Sequence, residues 1–199
     1  MRVALINGSY RRAGAVSQAL AEAASAARAA GAEVTEFFLM DKHVEFCTNC
    51  RACTQKPGDK RGECVLKDDM GAMLDAVDAA DGLILGAPMN FYNITAVARR
   101  FLERLVGYAY WPWSQGAPTM RVKDRKKKAV LISASAAPAL FARVFTPGAM
   151  KALKMFAETL GAKPVGKMSI GLSGMTEKYV LTASERAKAR RLGELVARG

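Results

Sequence analysis

The stretch Val3-Ala4-Leu5-Ile6-Asn7-Gly8-Ser9-Tyr10-Arg11-Arg12-Ala13-Gly14-Ala15-Val16-Ser17 decides the fold. Its four leading apolar residues predict a short buried strand, and the glycine and serine after them predict a turn into a helix over residues 16–30. A tight turn that opens a helix offers free N–H groups and a positive dipole end, which suit a phosphate. The spacings of the P-loop and of the dinucleotide fingerprint are absent. A plain turn with two solvated arginines explains the same residues, so both interpretations stay open.

Four further apolar runs alternate with helical patterns along the 199 residues. Strands are predicted at 33–39, 82–87, 129–133 and 165–172, and helical spacing covers 70–77, 94–105, 150–160 and 184–198. On the helix over 94–105, Arg99, Arg100 and Arg104 are expected to face solvent. Alternating strands and helices imply parallel pairing with helices on both faces. We therefore expect one α/β domain over 1–199, a flavodoxin-like doubly wound five-stranded parallel sheet in the order 2-1-3-4-5, with a cysteine-rich insertion at about 43–66.

The composition is that of a globular protein, with 51% hydrophobic and 24% charged residues and no apolar run of membrane-spanning length. The N-terminus lacks a secretory signal, so the expected location is cytoplasmic. Residues 121–199 carry 17 basic and 5 acidic side chains, so this part of the chain accounts for the whole net charge of +12. We interpret the basic run over 121–128 as a solvated loop. Docking of an acidic ferredoxin or attraction of the NADPH 2′-phosphate are the alternatives, and nucleic acid is disfavoured because no recognition motif is present.

The segment Pro88-Met89-Asn90-Phe91-Tyr92-Asn93 follows the third predicted strand. It brings two aromatic rings and two amides to the binding edge of the sheet, and a flat heteroaromatic ligand needs both kinds of group. The structural alternative makes Phe91 and Tyr92 core residues and Asn93 the N-cap of the next helix.

All four cysteines fall in one segment, with the spacing Cys47-x2-Cys50-x2-Cys53-x10-Cys64. The first three resemble the ferredoxin run that wraps one corner of an iron–sulfur cluster. Structural zinc sites more often use two separated cysteine pairs, or one pair with histidines. The single histidine, His43, is interpreted as a solvated loop residue. Zinc and unligated thiols remain as alternatives to the iron–sulfur interpretation.

Three segments occur in an order that resembles the NADPH-dependent FMN reductase group. They are the first loop, the segment 88–93 with its following helix, and the cysteine segment that runs into Val65-Leu66-Lys67-Asp68-Asp69-Met70. Within that group, residues 1–160 are similar to the iron–sulfur flavoprotein family. The resemblance implies FMN at the carboxyl edge of the sheet and a [4Fe–4S] cluster on the four cysteines. It also implies a homodimer or homotetramer in which the cluster approaches a neighbouring subunit's flavin, and we expect cluster and FMN on one side of the sheet.

The resemblance also implies where FMN is held. Its phosphate would lie on the loop from Ser9 to Ser17, its ring against residues 88–93, and the loop after strand four would close the pocket. Ala15 and Val16 stand where the family often has Asn and Thr, so more of the phosphate binding falls to other groups. The implied cofactor-binding residues are Ser9, Arg11, Ala15, Val16, Ser17, Pro88, Met89, Asn90, Phe91, Tyr92, Asn93, Ser133 and Ser135.

These features favour an oxidoreductase that passes electrons from ferredoxin or NAD(P)H to a small acceptor such as a quinone or an oxygen species. No catalytic side chain is assigned, because one histidine and no nucleophile elbow disfavour a hydrolase. The alternatives are an NAD(P)H-dependent FMN or quinone reductase whose cysteines hold zinc or no metal, and a flavin-loaded sensor or nucleic-acid-associated module.

Overall fold

The computed structural model describes residues 1–198, with the backbone alone at position 143. In chain order, the strands are β1 (Arg2–Asn7), β2 (Glu33–Phe38), β3 (Gly82–Gly86), β4 (Met89–Asn90), β5 (Asn93–Ile94), β6 (Ala109–Tyr110), β7 (Thr119–Met120), β8 (Lys127–Ala134) and β9 (Ala162–Ile170). The α-helices are α1 (Ala15–Ala29), α2 (Met70–Ala79), α3 (Ala96–Glu103), α4 (Ala139–Phe145), α5 (Gly148–Thr159) and α6 (Ala183–Ala197). Short 3₁₀ turns occupy Leu39–Asp41, Ala52–Thr54 and Arg104–Tyr108.

Five strands form one sheet in the order β2-β1-β3-β8-β9, and the small pairs β4-β5 and β6-β7 are separate hairpins. Every pairing in the large sheet is parallel. This is the predicted order 2-1-3-4-5, and the predicted fold class is confirmed. At the end of β1, Asn7 lies opposite Phe38 of β2 and Gly86 of β3. The loops after these strands therefore emerge at one edge, as expected of a doubly wound sheet.

Two apolar layers cover the two faces of the sheet. One layer packs α2, α3 and α5 onto the sheet, with Phe101 and Phe156 stacked at 5.2 Å between ring centroids. The other layer packs α1 and α6 onto the opposite face. In that layer a Cβ at Gly193 would lie 2.0 Å from the carbonyl oxygen of Ala23, so the two helices approach closely only because position 193 is glycine.

Three features of the described chain differ from the predicted elements. The helix predicted over 94–105 is the shorter α3, which continues as a 3₁₀ turn, and β9 begins three residues earlier than predicted and includes Pro164. Pro164 pairs with Ala129 next to a bulge on the edge strand, a position where proline is tolerated. Helix α4 was not predicted.

Two arginines expected in solvent are buried instead. Arg104 is 5% exposed because it forms an ion pair with the buried Asp68, so the prediction that Arg104 faces solvent was wrong. Arg121 is 6% exposed and donates hydrogen bonds to carbonyl oxygens of the cysteine segment. Arg99 is exposed as predicted, Arg100 is half-buried, and residues 123–126 of the basic run are exposed.

Candidate functional site

The loop after β1 is shaped by its own serines. The Ser9 and Ser17 hydroxyls both donate to the carbonyl oxygen of Arg11, at 3.1 and 2.7 Å. Helix α1 starts after Gly14 with no side-chain hydrogen bond at its N-terminus, and Ala15 and Val16 in its first turn are buried. The N–H groups at the start of α1 therefore have no capping side chain to satisfy them, as at helix ends that bind anions. The Arg11 guanidinium lies elsewhere, donating to the carbonyl oxygen of Glu177.

The segment after β3 is a two-residue hairpin, β4-β5, with aromatic residues at its tip. Phe91 and Tyr92 have φ of 45° and 64°, the left-handed conformation that a tight hairpin turn requires at both central positions. Their side chains are 101% and 70% exposed, so the alternative that places them in the core is wrong. Such backbone costs about 1–3 kcal/mol for a residue that is not glycine and is concentrated at ligand sites. The hairpin therefore presents two solvent-exposed aromatic rings at the carboxyl edge.

The hairpin and the first loop are joined by the start of α3. The buried Thr95 hydroxyl donates to the carbonyl oxygen of Gly8 at 2.5 Å and accepts from the Ala98 N–H at 3.3 Å. The Tyr10 hydroxyl accepts from the Ala96 N–H at 2.9 Å. Thr95 is thus the N-cap of α3, and the alternative role of Asn93 as that cap is wrong. The loop proposed for a phosphate and the hairpin proposed for a ring are held side by side.

The loop after β8 lies on the other side of the hairpin. Ser133 and Ser135 are buried, and they line a groove of about 730 Å³ together with Met89. The Ser135 hydroxyl donates to the carbonyl oxygen of Ala137, which shapes the chain before α4. The three loops that the sequence selected therefore adjoin one another at the carboxyl edge of β1, β3 and β8.

Replacing Thr95 with valine tests this junction. Valine keeps the shape of the side chain but leaves the Gly8 carbonyl and the Ala98 N–H unpaired, so we expect the free energy of unfolding to fall by about 1–2 kcal/mol. FMN affinity should fall as well, because the first loop loses its tie to the hairpin. Thr182→Val is the matched control, since the Thr182 hydroxyl caps α6 through Glu185 and has no described hydrogen bond to the first loop or to the hairpin. Urea unfolding and FMN titration of both variants decide the matter: equal FMN affinities in the two would refute the role of the junction.

The four cysteines are free thiols, with Cys50 exposed and the others partly buried. Burial raises the pKa of the Cys53 thiol, and the nearby charges of Cys64, Cys47 and Cys50 raise it further. The pKa of Cys50 is lowered by hydrogen bonds from the Ala52 N–H and the Thr48 hydroxyl. Cys53 is thus the thiol whose ionisation the other three cysteines oppose. Within residues 1–198, however, no three histidine, cysteine or acidic side chains are gathered closely enough to hold a single metal ion.

The ten residues between Cys53 and Cys64 fold back on themselves. At Gly62 a Cβ would lie only 1.7 Å from the Cys53 carbonyl oxygen, and the Gly62 N–H donates to the Gly107 carbonyl oxygen at 2.8 Å. Because the chain returns to its starting point here, Cys53 and Cys64 line one cavity of about 180 Å³. Arg61, Gly62 and Glu63, at the end of the spacer, line this cavity together with the two cysteines, and residues 54–60 are not part of its lining.

Arginines fasten the cysteine segment to the rest of the domain. The Arg51 guanidinium stacks between the rings of Trp111 and Trp113, at 3.8 and 4.3 Å from their centroids. Arg121 donates to the carbonyl oxygens of Cys53, Lys56 and Gly58. Sequence reasoning missed both roles, since nothing in the spacing of these residues distinguishes them from solvated arginines.

Arg104 binds both ends of the segment. Its Nη1 donates to the Asp68 carboxylate at 2.5 Å and to the Glu45 carbonyl oxygen at 2.8 Å. Its Nη2 lies 3.5 Å from the Cys64 sulfur and 3.3 Å from Asp68 Oδ1. Burial acts to raise the pKa of Asp68, but hydrogen bonds from Arg104, Glu45 and Met70 outweigh it and hold the pKa below its usual range. Asp68 is therefore a carboxylate at neutral pH and balances the arginine charge.

The three loops at the carboxyl edge and the cysteine cavity lie at the two ends of α3. Thr95 contacts the first loop at the start of this helix, and Arg104 contacts Cys64 directly after its end. At a rise of 1.5 Å per residue, the backbones of the two residues are about 13 Å apart. The two candidate sites are thus close but separate. His43 lies outside both, exposed and paired with Glu45, as its interpretation as a loop residue predicts.

This sheet order and these loops at its carboxyl edge define a flavodoxin-like protein. Residues 1–173 match the family model described as NADPH-dependent FMN reductase, and the chain belongs to this family. An iron–sulfur flavoprotein from Archaeoglobus fulgidus is 33% identical over 116 residues, which are 58% of this chain and 50% of that protein. The chain thus spans about half the length of the curated relatives that it matches. The predicted resemblance is confirmed.

Solved structures agree on the fold. An FMN-dependent NADH-azoreductase from Bacillus anthracis, in complex with FMN, superposes with a TM-score of 0.68 at 12% identity and covers 99% of this chain and 98% of that one. An archaeal flavodoxin superposes with a TM-score of 0.56 at 10% identity, over 99% and 96% of the two chains. No helix in the described part of the chain is long and apolar enough to cross a membrane.

Proposed function

We propose that this protein is an FMN-dependent oxidoreductase in which a [4Fe–4S] cluster on Cys47, Cys50, Cys53 and Cys64 exchanges electrons with the flavin. The family supports the flavin. The observation that carries the cluster is that Cys53 and Cys64, with ten residues between them in sequence, line one cavity beside Arg104. Iron–sulfur flavoproteins among the relatives agree with this function.

The residues present fit such a cluster in chemistry and in charge. A four-iron cluster binds each cysteine through a different iron atom, so its ligands need not gather around one point. Asn49 and Arg51, on either side of Cys50, have φ of 55° and 58°, and left-handed residues are typical of the backbone concavities that bind iron–sulfur centres. The buried Nε of Arg104 has no hydrogen-bond partner among the described residues. A donor of this kind suits an anionic group in the cavity.

FMN is proposed to lie across the three loops at the carboxyl edge. The uncapped start of α1 would hold its phosphate, and Ser9 and Ser17 would assist by turning their hydroxyls away from the Arg11 carbonyl. The hairpin tip, with Phe91 and Tyr92, would stack against its ring, and the loop with Ser133 and Ser135 would close the other side. Arg11 would reach the phosphate only by leaving the Glu177 carbonyl, so we give it the smallest share.

In this function the protein binds the two cofactors and orients them. When bound, FMN carries one or two electrons and the cluster carries one, so the chain needs no acid–base side chain of its own. Thr95 and Tyr10 fix the distance between the phosphate loop and the ring hairpin. Arg51, Arg104 and Arg121 fix the cysteine segment on the domain. NAD(P)H or a ferredoxin would supply the electrons, and a quinone or an oxygen species would accept them.

A homodimer or homotetramer is part of the proposal. Large apolar side chains are exposed at the hairpin tip and on α4, and a monomer rarely leaves so many in one region. They are Phe91, Tyr92, Leu140, Phe141, Val144 and Phe145. A second copy would cover them. Light scattering checks this: a stable monomer that transfers electrons from cluster to flavin at full rate would exclude a functional role for the dimer.

Anaerobic purification followed by metal, sulfide and flavin analysis tests the proposed function. We expect one FMN, about four iron atoms and about four acid-labile sulfides per chain. Cys64→Ser should lose most of the iron and keep its FMN, because the three loops proposed to hold FMN lie at the other end of α3. Thr54→Ser, a conservative change in the same segment, is the control and should keep both. Zinc without sulfide would favour the reductase with a structural zinc site. Flavin without metal would exclude electron exchange between a cluster and the flavin.

A further inference from the structure

The Cys64 sulfur contacts a buried cation. Arg104 Nη2 lies 3.5 Å from it, a distance at which an N–H donates a hydrogen bond to sulfur. The guanidinium is 2% exposed, so water does not weaken this contact as it would at the surface. Neither Arg51 nor Arg121 has such a contact among the described hydrogen bonds, in which both bind main-chain carbonyls only.

The ion pair with Asp68 does not account for this contact. One guanidinium nitrogen, Nη1, already serves Asp68 and the Glu45 carbonyl. The second nitrogen divides its donors between Asp68 Oδ1 at 3.3 Å and the Cys64 sulfur at 3.5 Å. Arginine is suited to this because its fork of donors is planar and rigid, whereas lysine has a single point charge. The carboxylate orients the guanidinium, and the guanidinium is aimed at the sulfur.

Cys64 is the cysteine whose position most needs such support. It follows the long spacing after Cys53, whereas the other three are two residues apart. The nearby Asp68 accepts hydrogen bonds from the N–H groups of Glu45 and Met70. The ion pair therefore connects Arg104 to the chain just before the first cysteine and just after the fourth. A change at position 104 therefore affects the fourth sulfur as well as the two ends of the segment.

We propose that Arg104 is the positioning residue of the fourth cluster ligand: its Nη2 holds the Cys64 sulfur at the cavity wall by an N–H···S hydrogen bond and raises the reduction potential of the cluster. The proposal rests on the proposed cluster. A hydrogen bond to a ligand sulfur favours the more negative, reduced cluster, and this effect remains although Asp68 balances the arginine charge. The cluster should also hold its iron longer, since groups that orient a metal ligand stabilise the site.

The test compares two lysine substitutions in the anaerobic holoprotein. Arg104→Lys keeps the positive charge but loses the planar set of N–H donors of the guanidinium. Arg61→Lys is the control, because Arg61 lines the same cavity and pairs with Asp75 and Asp78 without contacting a sulfur in the described structure. We expect the midpoint potential of Arg104→Lys to become more negative and its loss of iron to a chelator to be about 10-fold faster. The control should match the wild type in both.

Two further measurements keep the test decisive if Arg104→Lys folds poorly. The double variant Arg104→Gln/Asp68→Asn removes both buried charges together and should shift the potential in the same direction. In the wild type, transfer into deuterium oxide should shift an Fe–S stretching band in the resonance Raman spectrum. A cluster with wild-type potential, iron retention and no such band shift overturns the role of Arg104 alone. A wild-type protein without iron and sulfide overturns the proposed function, and this inference with it.

Discussion

Replacing Asp68 with alanine should lower the free energy of unfolding by about 3–5 kcal/mol, one of the two largest effects expected of a single substitution in this chain. The carboxylate side chain is 0% exposed and its Arg104 partner 2%. Without it, the guanidinium is left buried with no counter-charge, which costs far more than the loss of an exposed ion pair. Urea unfolding monitored by circular dichroism measures the change.

Asp41→Ala is the matched control for this prediction. Asp41 pairs with Arg12 at the surface, where both side chains are largely exposed, so its removal should cost no more than about 1 kcal/mol. Equal losses of stability in the two variants would contradict the buried character of the Asp68–Arg104 pair.

The same pair sets a pH dependence. Because the pKa of Asp68 is lower in the folded protein than in the unfolded chain, its contribution to stability is complete above the unfolded pKa. It is lost as the pH falls through the lower, folded pKa. We therefore expect the difference in stability between wild type and Asp68→Ala to shrink in acid, in unfolding experiments from neutral pH downwards.

Replacing Phe101 with alanine should also cost about 3–5 kcal/mol, because the substitution leaves a cavity in the centre of one apolar layer. Phe101 is 0% exposed and stacks on Phe156. Met155→Ala, on the exposed face of α5, is the control and should change stability by less than about 0.5 kcal/mol. Thermal and urea unfolding distinguish the two. A loss below about 1 kcal/mol for Phe101→Ala would mean that the core closes around the gap.

The fold was predictable because its signal is local and repeated. The three central strands β1, β3 and β8 contain apolar runs, and the long helices show apolar residues at a spacing of three or four. The order of the strands then follows from the rules for parallel crossovers. Element ends were less certain: Gly161, with φ of 72°, follows the end of α5, but β9 begins at the very next residue and includes Pro164.

The candidate site was predictable in its segments but not in its contacts. Arg104 lies three residues after Phe101 and seven after Val97, which places it on the buried face of the helix, so a signal for its burial was present. The partner of a buried arginine is a matter of tertiary structure, and Asp68 gave no sign of that role. The hairpin was hidden because Phe91 and Tyr92 replace the Asn-Gly pair typical of its turn. The return of the chain at Gly62 depends on a backbone contact that no spacing reveals.

The anchoring of the cysteine segment has an evolutionary consequence. Residues 57–60 between Cys53 and Cys64 are exposed, and the space around Gly58 is open. Insertions at this tip after Gly58, whose carbonyl Arg121 holds, would leave both cysteines in place, so orthologous chains are free to differ in length there. A single residue added within α3 would instead turn Arg104 by about 100° away from Asp68 while Thr95 stayed fixed. Natural selection should therefore preserve the number of residues from 95 to 104 and let the spacer between the third and fourth cysteines drift.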